Sequence, residues 1–192
     1  MKLLFATGNK NKAIEIQALM PKGIEIISLA DLDFYDDIPE TALTLEGNAQ
    51  LKAEYVYEKF ALNCFADDTG LEITSLNGSP GVFSARYAGE QRSDEANIEK
   101  VLAEMITVEN RDARFRTVIH LIIDGKSYQF EGVVDGKISH SPSGKNGFGY
   151  DPIFEPENCG KTYAELSLEE KNKTSHRARA FRKLVDFINN QL

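Results

Sequence analysis

The opening of the chain constrains the fold most, because a strand, a polar turn, a helix and a second strand follow one another directly. The apolar run LLFA (3–6) precedes TGNKNK (7–12), and apolar residues then recur at helical spacing. Asn9 or Asn11 is placed to cap this helix. IEIISL (24–29) is typical of a second strand. This β-loop-α-β order predicts parallel strands that are covered by helices.

Strand patterns of a different kind follow later in the chain. Residues 114–138 alternate between apolar and polar side chains and contain Asp-Gly twice, at 124–125 and 135–136. Asp-Gly is a preferred two-residue hairpin turn, so this segment predicts an antiparallel meander. An earlier run, CFADD (64–68), predicts a strand that ends in two acids. We therefore expect an α/β fold with a long mixed β-sheet.

Three further helices are predicted, each with one apolar face. They lie in 44–60, in 93–105, and from Ser175 onward with Thr174 or Ser175 as the cap. The sequence contains no linker, internal repeat or low-complexity tract. We expect one domain with two lobes over residues 1–192.

Composition argues against several classes of protein. The formal net charge is −8, from 22 Lys plus Arg against 30 Asp plus Glu, so the protein should repel nucleic acid. No run approaches the roughly 18 apolar residues of a membrane helix, and the N-terminal apolar run is too short for a secretory signal. We expect a cytoplasmic protein without a membrane partner. Cys64 and Cys159 lie far apart with no CxxC motif, which argues against zinc and against a disulfide framework.

The acidic balance is reversed in one segment. Residues 161–183 carry seven Lys or Arg and three Glu, so the segment has a net charge of +4 and is suited to an anionic ligand. The alternative for such a run is a solvated helix face.

A first polar cluster lies between the first strand and its helix. It consists of Thr7, Gly8, Asn9, Lys10, Asn11 and Lys12. Backbone N–H groups at a helix N-terminus, with a lysine beside them, bind phosphate. The alternative is an ordinary capped turn. The cluster is not a Walker A loop, because the GxxxxGK[ST] spacing is absent here and also fails at Gly144-Lys145.

The second cluster is acidic. Asp67, Asp68 and Thr69 lie at the end of the predicted strand, and Glu40 lies in a separate acidic loop, DDIPET (36–41). Mg²⁺ takes one or two carboxylates from a protein together with substrate phosphates, so this cluster predicts a magnesium site. Adjacent strand residues point to opposite faces, so only one of Asp67 and Asp68 should face a given site. The alternative is that Asp-Asp-Thr-Gly forms a turn.

Two further clusters contain groups suited to a nucleotide base. The third lies near the start of the last helix and consists of Lys171, His176 and Arg177. Positive groups there suit an oxygen-rich ligand, and the alternative is that His176 is a surface residue. The fourth consists of Phe148, Gly149, Tyr150 and Asp151. Its aromatic ring between glycines is accessible to a stacked base, and the alternative is an aromatic anchor that closes a surface loop.

Together the four clusters are the parts of a metal-dependent enzyme for nucleoside triphosphates. Five motifs also stand in the order and spacing of one family: TGNKNK (7–12), ADDTGL (66–71), PGVFSARYAG (80–89), GFGYDPIF (147–154) and EEKNKTSHRARA (169–180). From its first strand to its last helix, the chain resembles the inosine triphosphate pyrophosphatases. The resemblance implies a long mixed sheet flanked by helices, two lobes around a central cleft, and a homodimer. It also implies Mg²⁺-dependent hydrolysis of ITP, dITP and XTP to the monophosphate and pyrophosphate.

For the phosphates, the resemblance implies that residues 7–12 bind the triphosphate, with Lys12 as the main phosphate lysine. Asp68 would be the proton acceptor and a metal ligand, and Glu40 would complete the protein's share of the metal shell. The family often has two consecutive glutamates where Pro39 precedes Glu40 here. Glu40 is therefore the one candidate in that loop.

For the nucleoside, the resemblance implies that residues 148–151 line the base and sugar site and that Thr69 contacts the substrate. The purine edge would be read by Lys171, His176 and Arg177. The family commonly has serine at the position of Thr69, and threonine keeps the hydroxyl. Two alternatives stay open: a septum-inhibition-type nucleotide pyrophosphatase, and a nucleotide-binding regulator that has lost catalysis.

Overall fold

Five α-helices and six β-strands lie within residues 1–19 and 22–191, which the computed structural model describes. The strands are β1 (Lys2–Phe5), β2 (Glu25–Ser28), β3 (Cys64–Ile73), β4 (Asp112–Ile123), β5 (Lys126–Ile138) and β6 (Phe154–Pro156). The helices are α1 (Lys10–Gln17), α2 (Leu45–Phe60), α3 (Asp94–Glu104), α4 (Leu168–Thr174) and α5 (His176–Gln191).

The strands form a six-stranded sheet in the order β2-β1-β3-β4-β5-β6. β1 pairs in parallel with β2 and with β3, whereas β5 pairs antiparallel with β6. The predicted α/β fold with a mixed sheet is therefore confirmed. None of the helices in the two described ranges is long and apolar enough to cross a membrane.

The predicted β-loop-α-β opening is confirmed, and its turn is built around Asn9. The Asn9 side chain accepts hydrogen bonds from the backbone N–H of Asn11 at 2.9 Å and of Lys12 at 3.2 Å. These are N–H groups that the first turn of a helix cannot pair within itself. Asn9, rather than Asn11, is therefore the N-cap of α1.

The other three predicted helices are confirmed as α2, α3 and α5. Thr44 and Ser93 cap the first two. α5 begins at His176, directly after Ser175. The sequence pattern did not predict α4, a short helix that ends before Ser175 and carries Lys171.

One of the two predicted Asp-Gly turns is confirmed. Asp124 and Gly125 link β4 to β5 with φ angles of 50° and 74°, the left-handed values that a two-residue hairpin needs. The second prediction is wrong, because Asp135 and Gly136 lie inside β5. A Cβ at Gly136 would lie 2.3 Å from the carbonyl oxygen of Glu155 in the neighbouring strand. The close approach of β6, and not a turn, explains this glycine.

The two acids of CFADD lie in the middle of a strand, so the prediction that the strand ends there is wrong. β3 continues to Ile73. A Cβ at Gly70 would lie 2.6 Å from the carbonyl oxygen of Gly81. The glycine that suggested a turn is needed because another backbone segment passes close to the strand. Asp67 and Asp68 are therefore held by a regular strand and not by a loop.

The chain divides into two units, and the first comprises residues 1–68, residues 117–132 and the chain from His176 onward. In this unit one core cluster includes strand residues and residues of α5, among them Leu3, Phe5, Phe65, Ile119, Phe181 and Leu184. A second cluster joins the alternate strand residues to α2, through Leu4, Ala6, Ala53, Val56, Ala66 and Ile122. The alternation of strand side chains thus builds two separate cores.

The second unit comprises residues 69–116 and 133–175. Its core includes Leu71, Ile73, Val101, Met105, Phe115, Phe154 and Tyr163. The expectation of one domain with two lobes stays a prediction.

Candidate active site

The predicted phosphate turn is exposed except at its first and last residues, Thr7 and Lys12. Thr7 Oγ1 accepts the backbone N–H of Asn9 at 3.1 Å, so the turn is braced on both sides of its glycine. Residues 8–11 are exposed, whereas the Lys12 side chain is only 14% exposed. The N-terminus of α1 is therefore accessible to solvent, and the partly buried lysine beside it is Lys12.

Buried charges of the first unit gather around Asp67 on β3. Lys12 Nζ lies 3.0 Å from the Asp67 carboxylate, and Arg177 Nε donates to it at 3.3 Å. A second nitrogen of Arg177 donates to Glu15 of α1. Asp67 is 1%, Arg177 2% and Glu15 4% exposed. Two carboxylates and two cations therefore face one another with little access to water.

These charges control one another's ionisation. Burial alone would raise the pKa of Asp67, but the positive charges of Lys12 and Arg177 outweigh it and hold this pKa well below its usual value. Burial lowers the pKa of Lys12, although the charge of Asp67 opposes that shift. Asp67 is therefore an ionised carboxylate that orients cations, and it is a poor proton acceptor.

Asp68 lies next to Asp67 but contacts a different cluster, which α2 supplies. Lys52 Nζ lies 3.4 Å from Asp68 Oδ1 and 2.6 Å from Glu40 Oε1. Asn48, one helical turn before Lys52, donates from Nδ2 to Asp68 Oδ2 at 3.3 Å. The Asn48 Oδ1 accepts a backbone N–H from the loop that carries Glu40. As expected from strand alternation, the two adjacent acids face different partners.

The carboxyl group of Asp68 is closer to neutrality than that of Asp67. Burial raises the pKa of Asp68, and the charge of Lys52 offsets only part of that shift. Burial would lower the pKa of Lys52, but the charges of Asp68 and Glu40 outweigh it and raise this pKa. A carboxylate with a raised pKa is a stronger base, so Asp68 is the better proton acceptor of the two acids.

The two clusters lie within electrostatic reach of each other. After burial and Asp67, the charge of Lys52 is the next influence on the pKa of Lys12. The clusters together contain three cations and four carboxylates, namely Lys12, Lys52, Arg177, Glu15, Glu40, Asp67 and Asp68. Among the described residues, no group of three or more His, Cys, Asp or Glu side chains is arranged to hold a metal ion.

In the second unit, Asp151 organises the predicted base-binding segment. Asp151 Oδ2 accepts the Phe148 N–H at 2.9 Å and the ammonium of Lys171 at 2.6 Å. Asp151 and Lys171 are 2% and 3% exposed. The Lys171 ammonium also lies 5.0 Å from the centre of the Phe148 ring and 5.5 Å from that of Tyr163. The structure thus brings together three predicted residues, Phe148, Asp151 and Lys171.

Two glycines of this segment serve different purposes. A Cβ at Gly147, where φ is 77°, would lie 2.0 Å from Asp151 Oδ2, so the carboxylate occupies that space. At Gly149 φ is 61°, and among the described residues no atom outside 148–150 lies within 4 Å of the Cβ position. Gly147 therefore makes room for Asp151, whereas Gly149 leaves open space beside Phe148.

The remaining predicted residues lie on β3 and α5. Thr69 follows Asp68 on β3 and is half-buried. His176 is the first residue of α5 and is 3% exposed, so the alternative that it lies on the surface is wrong. Arg177, the next residue, takes part in the Asp67 cluster described above.

Three residues of the first unit's clusters were missed from the sequence: Glu15, Asn48 and Lys52. A signal for two of them exists, since Asn48 and Lys52 are spaced by four residues on the buried face of α2. That face is otherwise apolar and includes Ala49, Ala53 and Val56. A lysine in such a stripe needs carboxylate partners, because an unpaired buried charge is costly. Glu15 lies three residues after Lys12 on α1, a spacing that brings side chains to one face of a helix.

Known proteins that are similar to this chain belong to one family. A model of the Ham1 family matches residues 3–187. The dITP/XTP pyrophosphatase of Flavobacterium johnsoniae is 54% identical over 188 residues, which cover 98% of each chain. That of Flavobacterium psychrophilum is 55% identical over 190 residues, which cover 99% of this chain and 100% of the relative. Among solved structures, the Staphylococcus aureus Ham1 protein matches with a TM-score of 0.90 and 40% identity, over 100% of both chains.

Proposed function

The chain belongs to the Ham1 family, and from this premise we propose that it hydrolyses non-standard purine nucleoside triphosphates to the monophosphate and pyrophosphate. The substrates would be ITP, dITP and XTP. Such an activity removes these nucleotides from the pool before they enter DNA and RNA. The names of the relatives favour this function over a septum-inhibition-type pyrophosphatase and over a regulator that has lost catalysis.

The observation that carries the proposal is the contrast between the two adjacent acids of β3. Asp67 pairs with Lys12 at 3.0 Å and with Arg177 at 3.3 Å, whereas Asp68 pairs with Lys52 at 3.4 Å, and burial raises the pKa of Asp68. A triphosphate ester needs both kinds of group, because cations must neutralise the phosphates while one carboxylate accepts a proton. The arrangement therefore supports phosphoryl chemistry better than simple nucleotide binding.

We propose Mg²⁺ as the cofactor, held by Glu40 and Asp68. Both carboxylates approach the ammonium of Lys52, at 2.6 Å and 3.4 Å, so they converge on one position that already attracts a cation. Two carboxylates together with substrate phosphates are a donor set that Mg²⁺ accepts, so these residues fit the ion. When bound, the ion would neutralise charge on the triphosphate. Lys52 would then pair with phosphate oxygens instead of the two acids.

The residues of the chain suggest how water attacks. Asp68 would orient a water molecule and take its proton while the water oxygen bonds to the α-phosphorus. The bond from that phosphorus to the bridging oxygen breaks, and pyrophosphate leaves. Residues 7–12 would bind the triphosphate, with Lys12 and Lys52 supplying positive charge. Positioning and charge neutralisation dominate such reactions, because pyrophosphate is already a good leaving group.

Recognition of the base would use other groups. Phe148 would stack on the purine, and the rest of 148–151 would line the base and sugar site beside Thr69. Lys171, His176 and Arg177 would donate to the 6-oxo group of inosine or xanthine. Adenine presents an amino donor there, and buried donors left facing a donor can discriminate by roughly 10⁴-fold. Rejection of GTP must come from its 2-amino group, through the shape of the pocket.

The family resemblance supports two further proposals, a homodimer and a cytoplasmic location. An acidic chain that acts on free nucleotides has no need to bind nucleic acid or a membrane. Sedimentation equilibrium tests the first of these proposals, because a mass of twice 21.4 kDa is expected for the dimer.

The proposed activity is tested by release of pyrophosphate from ITP, with and without Mg²⁺. We expect inosine monophosphate and pyrophosphate in equal amounts, and only in the presence of the ion. Release of inorganic phosphate with inosine diphosphate would contradict attack at the α-phosphorus. Binding of ITP without hydrolysis would support the regulator instead.

A further inference from the structure

A carboxylate outside the proposed site holds the base-binding segment. Asp94 is the first residue of α3, and its Oδ2 accepts the backbone N–H of Gly149 at 2.7 Å. The two residues are 55 positions apart in the chain, so this contact is a tertiary one. A hydrogen bond from an amide to an ionised carboxylate is stronger than one between neutral groups. Neither the proposed chemistry nor the proposed base contacts make use of Asp94.

The contact matters because of the peptide group that it fixes. The N–H of Phe148 donates to Asp151, which fixes the peptide group before the Phe148 Cα. The N–H of Gly149 donates to Asp94, which fixes the peptide group after it. These two peptide planes set the direction of the Cα–Cβ bond from which the Phe148 ring extends. Asp151 and Asp94 therefore restrain the backbone that carries the aromatic ring, one on each side of the Phe148 Cα.

The second of these restraints falls where the backbone is least restricted. Gly149 has a φ of 61° and open space at its Cβ position, so local sterics do not fix its conformation. Without an external partner the peptide group between Phe148 and Gly149 would rotate more freely, and a ligand would have to order it on binding. A group that is ordered in advance lowers this entropic cost.

We propose that Asp94 is a positioning residue for the purine base, which acts by fixing the Phe148–Gly149 peptide and thereby the ring on which the base stacks. This inference rests on the proposed function. It predicts an effect on the recognition of the nucleoside and none on the recognition of the phosphates.

The neighbouring acid provides a matched control. Glu95 is also exposed, also lies in the first turn of α3, and contacts Ser93 Oγ at 3.1 Å. Removal of either acid takes one negative charge from the same helix N-terminus, where it has a similar effect on helix stability. Only Asp94 of the two has the contact with Gly149. Asp94→Asn keeps an oxygen acceptor at nearly the same position and serves as the conservative variant.

The experiment measures KM for ITP, kcat and the inhibition constant of inorganic tripolyphosphate in the unmodified chain and in Asp94→Ala, Asp94→Asn and Glu95→Ala. We expect KM for ITP to rise about tenfold in Asp94→Ala, because a hydrogen bond to a charged group commonly contributes about this factor to an equilibrium. In Asp94→Asn, which keeps a neutral acceptor, KM should rise only about threefold. Glu95→Ala should leave KM unchanged. The tripolyphosphate constant should be the same in all four proteins, and their thermal midpoints should show that each one is folded.

A double-mutant cycle with Phe148→Ala then tests whether Asp94 acts through the ring. In the Phe148→Ala background, Asp94→Ala should have little further effect on KM, because the group that it positions is gone. Equal KM values for Asp94→Ala and Glu95→Ala, or an undiminished effect of Asp94→Ala in that background, would overturn the inference while the proposed function stands. Absence of ITP hydrolysis by the unmodified chain would overturn the proposed function and this inference with it.

Discussion

The charged clusters of the first unit and the base-binding segment of the second unit hold their functional groups in different ways. Around Asp67 and Asp68, buried ammonium, guanidinium and carboxylate groups fix one another by charge. Around Phe148, glycines with positive φ and hydrogen bonds to backbone N–H groups fix the direction of a ring. The first arrangement is suited to a charged ligand, and the second to a flat one.

This difference indicates what each region can tolerate. A buried charge that loses its partner is costly, so the first region should respond to substitution through stability as well as through chemistry. An aromatic ring at the edge of a backbone loop can be removed with less damage to the fold. Substitution of Phe148 should therefore alter recognition more cleanly than substitution of a buried charge.

The largest effect is expected from Asp68→Asn. Loss of the proton acceptor should lower kcat for ITP by about a thousandfold, which lies within the usual range for a general base. Binding of ITP should persist, because the lysines of the site remain. Turnover by stopped-flow release of pyrophosphate and binding by calorimetry measure the two quantities separately. Near-normal turnover would remove Asp68 from the role of proton acceptor.

The adjacent acid should behave in the opposite way. Asp67→Asn leaves the buried charges of Lys12 and Arg177 without their common counter-charge, so the free energy of unfolding should fall by about 3 kcal/mol. For Asp68→Asn the change should be smaller, since burial already disfavours the charged form of that residue. Urea unfolding of both variants compares them directly. A greater loss of stability in Asp68→Asn would reverse the assignment of roles.

In the second region, Phe148→Ala should weaken base recognition alone. KM for ITP should rise about tenfold or more, as expected for the loss of one stacked base. Inhibition by inorganic tripolyphosphate should not change. Phe83→Ala is a suitable control, because Phe83 is an aromatic residue of the same unit that is 46% exposed. A parallel loss of tripolyphosphate binding in Phe148→Ala would mean that the ring supports the phosphates too.

The smallest effect concerns the two thiols, one in each unit. Burial raises the pKa of Cys64 to about 12, whereas Cys159 is partly exposed. Only the thiolate reacts, so at pH 8 we expect a disulfide reagent to label Cys159 quickly and Cys64 only after urea is added. Rapid labelling of two thiols in the folded protein would show that the core around Cys64 opens readily.

Local chemistry made much of the fold predictable from the sequence. The cap at Asn9, the turn at Asp124-Gly125 and the apolar faces of three helices each depend on residues that are neighbours in the chain. The errors at Gly70 and Gly136 share one cause. Both glycines admit a backbone segment that is distant in sequence, and a pattern of neighbours carries no information about such an approach.

Site residues that lie within a sequence motif could be predicted. Site residues that depend on side chains from distant parts of the chain could not. Phe148, Asp151 and Lys171 stand in quoted motifs, and the structure brings them together. Lys52 has no motif of its own, and its function follows only from the acids that α2 places beside it. The different ionisation of Asp67 and Asp68 likewise depends on tertiary contacts, because the two side chains are chemically identical.

The most direct test of the central claim compares kcat/KM for ITP, XTP, GTP and ATP at equal concentrations with Mg²⁺ present. Since all four nucleotides carry the same triphosphate, any preference must come from recognition of the base. We predict that ITP and XTP are hydrolysed with release of pyrophosphate and that ATP is disfavoured by roughly 10⁴-fold. Equal kcat/KM values for the four nucleotides would contradict selection by the base, and absence of ITP and XTP hydrolysis would contradict the proposed function.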